Sequence, residues 1–242
     1  MTNDPHNFNV PDHYVSLFRE IGISLHSKNR FHLPDHLEAI VDNFIAYRKR
    51  NNISRINKES TYFRARTHGI TQSAVYPQEE MGAPPSKVAG PGRLNSEGMP
   101  VLYVATTIDT AISEVRPWKG AEVSVAEMIT TKTLTLISLK PANEIFTIDE
   151  GEKNAENLLD SLIIGMLYFS SPNHAADKLA YLPTQYIAQK IRDLDIDGVL
   201  YPSALSKYGE NIVLFDPTSC KVHRVLKYTV EEVIYRHTQS DA

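Results

Sequence analysis

The chain is poor in cysteine: Cys220 is the single one in 242 residues. One thiol cannot close an internal disulfide, so the core alone must hold the fold, and a reducing compartment is expected. Cys220 ends the run Asp216-Pro217-Thr218-Ser219-Cys220, which reads as a turn between strands carrying a structural thiol. Excess positive charge is also lacking. Lys and Arg number 25 against 29 Asp and Glu, a formal charge of -4. That balance argues against direct nucleic-acid binding and leaves room for a local basic pocket that takes a small anion. Long apolar runs are missing too. The most apolar stretch, Leu158 to Phe169, carries Asp160 and is too short to span a bilayer. Met1 to Val10 has neither a basic nor an apolar region of the secretory kind, so no signal and no membrane association are expected, and the expected location is the cytoplasm.

Several catalytic signatures are missing as well. Gly90-x-Gly92 is not followed by the third glycine of a dinucleotide fingerprint, and no strand feeds it directly. No phosphate-binding Gly-x-x-x-x-Gly-Lys-Ser/Thr run and no Gly-x-Ser-x-Gly elbow occur. His32 and His36 stand four apart near Glu38, but Pro34 between them puts His32 outside any helix. A solvated surface pair is the better reading, and no metal is expected.

What is present is enough apolar material, 42% of residues, for one sizeable core. The first sixty residues read as a helical extension. His13 to Glu20 suits a short helix ended by Gly22. Pro34 to Arg50 is a stronger helix, with Leu37, Ile40, Val41, Phe44 and Ile45 on one face, Asp35 as N-cap and Arg48, Lys49 and Arg50 at its negative end. That apolar face is expected to pack on the core, form a homodimer or bind a partner. From Thr61 the pattern turns to short strands: Thr61 to Arg66, Val101 to Thr106, Glu122 to Met128, Thr133 to Leu139, Gly198 to Tyr201, Asn211 to Phe215 and Val222 to Val225. A short helix capped by Asp109 is expected over Asp109 to Val115, and longer ones over Ala155 to Tyr168 and Pro183 to Leu194. Gly69 to Pro100, with five prolines (Pro77, Pro84, Pro85, Pro91 and Pro100), reads as a long ordered loop. Strands do not alternate strictly with helices, so the expected class is α+β with a mixed sheet. The expected organisation is an extension over 1–60, a core over 61–228 and a tail over 229–242.

Four segments stand out together: Tyr62-Phe63-Arg64-Ala65-Arg66; Gly92-Arg93-Leu94-Asn95-Ser96-Glu97-Gly98 leading into Val101-Leu102-Tyr103-Val104-Ala105; Thr110-Ala111-Ile112-Ser113-Glu114-Val115-Arg116; and Asp197-Gly198-Val199-Leu200-Tyr201-Pro202-Ser203 with Gly209-Glu210-Asn211-Ile212-Val213-Leu214-Phe215. Taken singly, each residue has an ordinary reading. Arg64 and Arg66 suit a solvated strand face, Glu114 an ion pair with Arg116 or Lys119, Tyr103 the core, and Ser203 a turn. Their order and spacing are more specific.

From about Tyr62 to Phe215 the set resembles the RES domain, named for its Arg, Glu and Ser, matched here by Arg64, Glu114 and Ser203. The resemblance implies an ADP-ribosyltransferase-like fold and NAD⁺ as substrate. It implies cleavage of the nicotinamide–ribose bond by hydrolysis or phosphorolysis. It also implies the role of a bacterial toxin neutralised by an Xre-type antitoxin. A mono-ADP-ribosyltransferase with a protein acceptor is the second reading, and a non-catalytic nucleotide-binding or interaction module the third. The residue types suit the chemistry. The transition state is oxocarbenium-like, and a carboxylate beside the ribose, assigned to Glu114, stabilises it. Pyrophosphate calls for a planar donor fork, assigned to Arg64, with Arg66 its rival on the same expected strand face and Arg93 a lesser contributor. Tyr103 is expected to stack on nicotinamide, and Ser203 to bond the nicotinamide ribose or amide.

Overall fold

The computed structural model of the protein describes residues 12–69, 72, 74–140 and 181–234. The helix expected over Ala155 to Tyr168 lies outside them. Within them, eight strands form one sheet: β1 (Ile53–Ile56), β2 (Thr61–Thr67), β3 (Leu102–Ala105), β4 (Glu122–Thr130), β5 (Leu134–Ser138), β6 (Gly198–Pro202), β7 (Glu210–Leu214) and β8 (Cys220–Thr229). Their spatial order is β1-β5-β6-β7-β3-β2-β4-β8. Only β5 and β6 run parallel, so the sheet is mixed and the class is α+β.

Alternation along the strands sorts the core into two faces. On one, Ile137, Val199, Tyr201 and Val213 meet Ile21 and Leu25 of α1 (Asp12–Ser27), Leu37, Val41, Phe44 and Ile45 of α2 (Asp35–Asn51), and Ile187 and Ile191 of α4 (Leu182–Arg192). Further along the same face, Ala105, Val123 and Val125 pack beneath Ala111 of α3 (Ile108–Glu114). The opposite face carries Leu102, Val104, Leu136, Leu200, Ile212 and Leu214. Among the described residues it is covered by the proline-rich loop, which inserts Met81 with Tyr76 and Ala83 around it. Each fully buried side chain of this kind contributes about 1.5–3 kcal/mol relative to exposure.

Several boundaries differ from the expectation, each for a local reason. Helix α1 does not stop at Gly22 but runs to Ser27; a Cβ added at Gly22 would meet Pro183 of α4 at 3.6 Å, an ordinary contact. Asp35 begins α2, and the cap position belongs to Pro34, whose extended backbone suits it. Thr107, not Asp109, caps α3, its side chain accepting from the Thr110 amide. Cys220 is not in a turn but opens β8, where burial pushes its thiol up to about 11. Strand β1 was not anticipated; it joins the sheet edge by pairing with β5, so the N-terminal region contributes a strand as well as helices. Arg48, at the end of α2, is completely buried and donates to the carbonyls of Ser138 and Lys140 at the end of β5.

One feature of the sheet positions the site. Strand β2 pairs with β4 from Thr61 to Thr67, and β3 pairs with β7 from Leu102 to Ala105. Between β2 and β3 the only pairing is Phe63 with Ala105. The sheet therefore splits there and leaves main-chain groups without a strand partner.

Candidate active site

The split opens into a cleft of about 300 Å³, at the small end for ligand pockets. Its walls are Phe63, Arg64 and Ala65 of β2, Tyr103, Val104 and Ala105 of β3, Ala111, Glu114 and Val115 at α3, Tyr201 of β6 and Asn211 of β7. Three of the expected residues, Arg64, Tyr103 and Glu114, thus share one cavity although they are far apart in sequence.

Arg64 leaves β2 on the side of Tyr62, which belongs to the opposite core face, and lines the cleft because the sheet is open there. Its Nη1 donates to the Tyr103 carbonyl at 2.9 Å, taking the place of the missing strand partner. Among the described residues no carboxylate pairs with it, and its buried Nε has no hydrogen-bond partner. Burial, with the neighbouring charge of Arg66, pushes the guanidinium down to about 10, so it is still a cation at neutral pH. A desolvated cation with an unused donor is prepared for an anion.

Glu114 is the last residue of α3 and faces the cleft from an exposed position. Its Oε1 accepts from Ser203 Oγ at 2.7 Å and from Asn211 Nδ2 at 2.6 Å. Its Oε2 takes no hydrogen bond from the described residues. Ser203 is 1% exposed, and its oxygen also accepts from the amides of Leu205 and Ser206. The hydroxyl's capacity is thus used inside the protein, and it stands behind Glu114 rather than on the cleft wall.

The turn from 203 to 209 also fixes the helix that carries Glu114. Ser203 N donates to the Gly209 carbonyl, and Thr110 Oγ1 donates to Ser206 Oγ at 3.1 Å. A Cβ on Gly209 would lie 1.6 Å from Thr110 Oγ1, so glycine is required for this approach. After Glu114 the backbone turns at Arg116, whose φ is 47°, and Pro117 prevents continuation.

The remaining expected residues lie around the cleft. The Tyr103 hydroxyl donates to Asn95 Oδ1 at 3.0 Å and accepts from the Leu94 amide at 3.0 Å, which ties β3 to the Gly-Arg-x-Asn turn. Burial pushes this phenol up to about 12. A Cβ on Gly92 would come within 2.8 Å of the same hydroxyl, so that turn too is built around a glycine. Arg93 sits with its guanidinium 5.9 Å from the ring centre of Tyr201, which itself lines the cleft. Arg66 does not line it: its guanidinium lies over the Tyr76 ring at 4.6 Å and donates to the Glu80 carbonyl at 2.7 Å. His36 meets Glu20 at the surface. Among the described residues no group of three or more His, Cys, Asp or Glu side chains could hold a metal, and no helix is long and apolar enough to cross a membrane.

Asn211 was not expected. Its signal in sequence is a single amide entering the apolar run Ile212-Val213-Leu214, on the face shared with Val213.

With this geometry in place, the comparison with known families is decisive. A family model of the RES domain matches residues 61–236. The chain belongs to the RES domain family. Of the three residues expected to supply the family's Arg, Glu and Ser, Arg64 lies on the split strand, Glu114 ends α3 and Ser203 is bonded to Glu114. Among solved structures, this RES domain chain is similar to one titled as the crystal structure of the M. tuberculosis MbcT–MbcA toxin–antitoxin complex. The identity is 16%, the match covers 79% of this chain and 93% of that chain, and the TM-score is 0.43. No curated protein matches the chain significantly.

Proposed function

We propose that this RES domain protein cleaves the bond between nicotinamide and ribose in NAD⁺ and acts as a growth-inhibiting toxin. The observation that carries the reading is the pairing, in one cleft, of a half-buried cation with no carboxylate partner among the described residues, Arg64, with a carboxylate, Glu114, whose Oε2 accepts no hydrogen bond from them. Arg64 would hold the pyrophosphate through its unused donors. Glu114 would stand against the ribose and stabilise the oxocarbenium charge as the C1′–N bond breaks. The bonding pair leaves with nicotinamide, whose ring nitrogen goes from cationic to neutral, so the departure needs no proton donor. Water or hydrogen phosphate then adds to C1′, its proton passing to solvent, and ADP-ribose or its 1-phosphate is released. Ser203 would act on Glu114 rather than on the sugar, because its donor and acceptors are already used. An Xre-type antitoxin is the partner this role calls for.

The test is nicotinamide release from NAD⁺ by the purified chain, with and without phosphate, beside Glu114→Gln. The Gln side chain keeps an oxygen for Ser203 and Asn211 but carries no charge. Expected is release by the parent and a loss of at least about 100-fold in the variant, on the scale of one lost electrostatic stabiliser. Label from NAD⁺ retained on a protein would instead indicate an ADP-ribosyltransferase. Binding of NAD⁺ without release to any acceptor would indicate a non-catalytic module.

A further inference from the structure

Asn211 is 6% exposed on a central strand, in register with Ala105 of β3 and Tyr201 of β6. A buried amide at such a place is costly unless it is hydrogen-bonded, and its Nδ2 is spent on Glu114 Oε1 at 2.6 Å. Ser203 donates to the same oxygen. Two neutral donors therefore converge on one carboxylate oxygen, and no cation is bonded to either. A Lys or Arg there would neutralise the carboxylate; an amide and a hydroxyl fix it and leave its charge in place. The need for fixing follows from the address of Glu114, at the end of a seven-residue helix in an exposed position, where its χ angles would otherwise be free.

We propose that Asn211 is a positioning residue that locks the Glu114 rotamer and reserves Oε2 for the ribose. This rests on the NAD⁺-cleaving reading for its consequence in catalysis, but not for its structural content. Ser203 sits in the turn after β6, whereas Asn211 is held between two strand partners, so the amide is the rigid half of the clamp. The other charged or titratable groups on the cleft wall are Arg64 of β2, Tyr103 of β3 and Tyr201 of β6, and none is changed by altering Asn211.

The test combines kinetics with a direct reading of the carboxylate. Asn211→Ala is expected to lower kcat for nicotinamide release about 10- to 100-fold, the effect of one lost bond to a charged group, with KM for NAD⁺ within about threefold. Asn211→Asp keeps the shape but sets two carboxyls against one another. They then share a proton, and the ¹³C-detected carboxyl titration should show the two macroscopic steps of a coupled pair in place of the parent's single step. A Glu114 titration superimposable on the parent's in the Asp variant, or a kcat in the Ala variant within about threefold of the parent's, overturns the proposal. If the parent itself releases no nicotinamide, the NAD⁺ reading fails, and the titration alone decides the role of Asn211. Should the Ala variant not fold, the Asp variant carries the decision.

Discussion

Replacing Arg64 by Met separates a residue kept for structure from one kept for a ligand. The guanidinium falls from its ordinary value to about 10 mainly because it is desolvated, so folding works against this charge. The sign is that of a base whose folded pKa is depressed. The cost is present in full at every pH below about 10 and fades as pH rises toward the higher unfolded value. At about 1.4 kcal/mol per pH unit the shift sets a ceiling of roughly 3 kcal/mol. The side chain is only half-buried, and solvent screening reduces that to about 1–2 kcal/mol. Against this stands the lost bond to the Tyr103 carbonyl, worth about 1–3 kcal/mol when the acceptor is left dry and less at a cleft that water enters. The two nearly cancel. Arg64→Met should therefore stay within about 1 kcal/mol of the parent in urea unfolding at pH 7, whereas breaking a buried ion pair costs about 3–5 kcal/mol.

Ligand stabilisation should behave in the opposite way. In a Glu114→Gln background, where NAD⁺ is expected to survive, NAD⁺ at 100 times its Kd stabilises the fold by about 2.7 kcal/mol. For a chain of this size that is a rise in Tm of about 5–10 °C. Adding Arg64→Met should reduce the rise at the same NAD⁺ concentration to under about 2 °C, since truncating one side of a buried charged contact costs about 2–5 kcal/mol. Scanning fluorimetry with and without NAD⁺ reads both quantities. A variant destabilised by more than about 2 kcal/mol, or one that keeps the full NAD⁺-dependent rise, would refute the assignment of Arg64 as an anion site.

Gly209→Ala forces its new methyl against Thr110 Oγ1 and Cβ, so either α3 or the turn must move. It should cost about 1–3 kcal/mol in urea unfolding and lower nicotinamide release more than tenfold by displacing Glu114. Tyr103→Phe leaves the Leu94 amide and Asn95 Oδ1 without the hydroxyl between them, and should destabilise by about 2–3 kcal/mol with kcat little changed. Stability should fall between pH 9 and 12. The unfolded Cys220 and Tyr103 lose protons at their ordinary 9 and 10, while the folded ones hold them to about 11 and 12. Urea midpoints across that range, with Cys220→Ala and Tyr103→Phe flattening part of the slope, read the effect.

The elements most legible in the sequence were those whose evidence is local. The face of α2, the short helix bearing Glu114 and the strands around Tyr103 and Val213 follow from periodicity, and they are where the pattern puts them within a few residues. What was not legible depends on partners remote in sequence. Thr107 outcompetes Asp109 as the cap of α3 because its hydroxyl also meets Thr110, which the turn at Gly209 holds in place. β1 is four residues with no apolar alternation of its own, and it exists as a strand because β5 offers an open edge.

The two arginines of β2 carry the point furthest. Strand alternation puts Arg64 and Arg66 on the same side and cannot choose between them. The choice is made by the sheet. Opposite Arg66 the strand pairs with Ser124 and the side chain is drawn to Tyr76 and Glu80, where an exposed cation is already satisfied. Arg64 likewise pairs with Ala126 of β4, but toward β3 the ladder beside it is reduced to Phe63 with Ala105, and there its guanidinium takes the Tyr103 carbonyl and enters a cleft with Glu114. The same opening that costs the sheet its hydrogen bonds thus supplies the space for a ligand and brings one cation and one carboxylate to the same cleft. A chain that closed the gap between β2 and β3 with a full ladder would satisfy the Tyr103 carbonyl, release Arg64 to solvent and have no site.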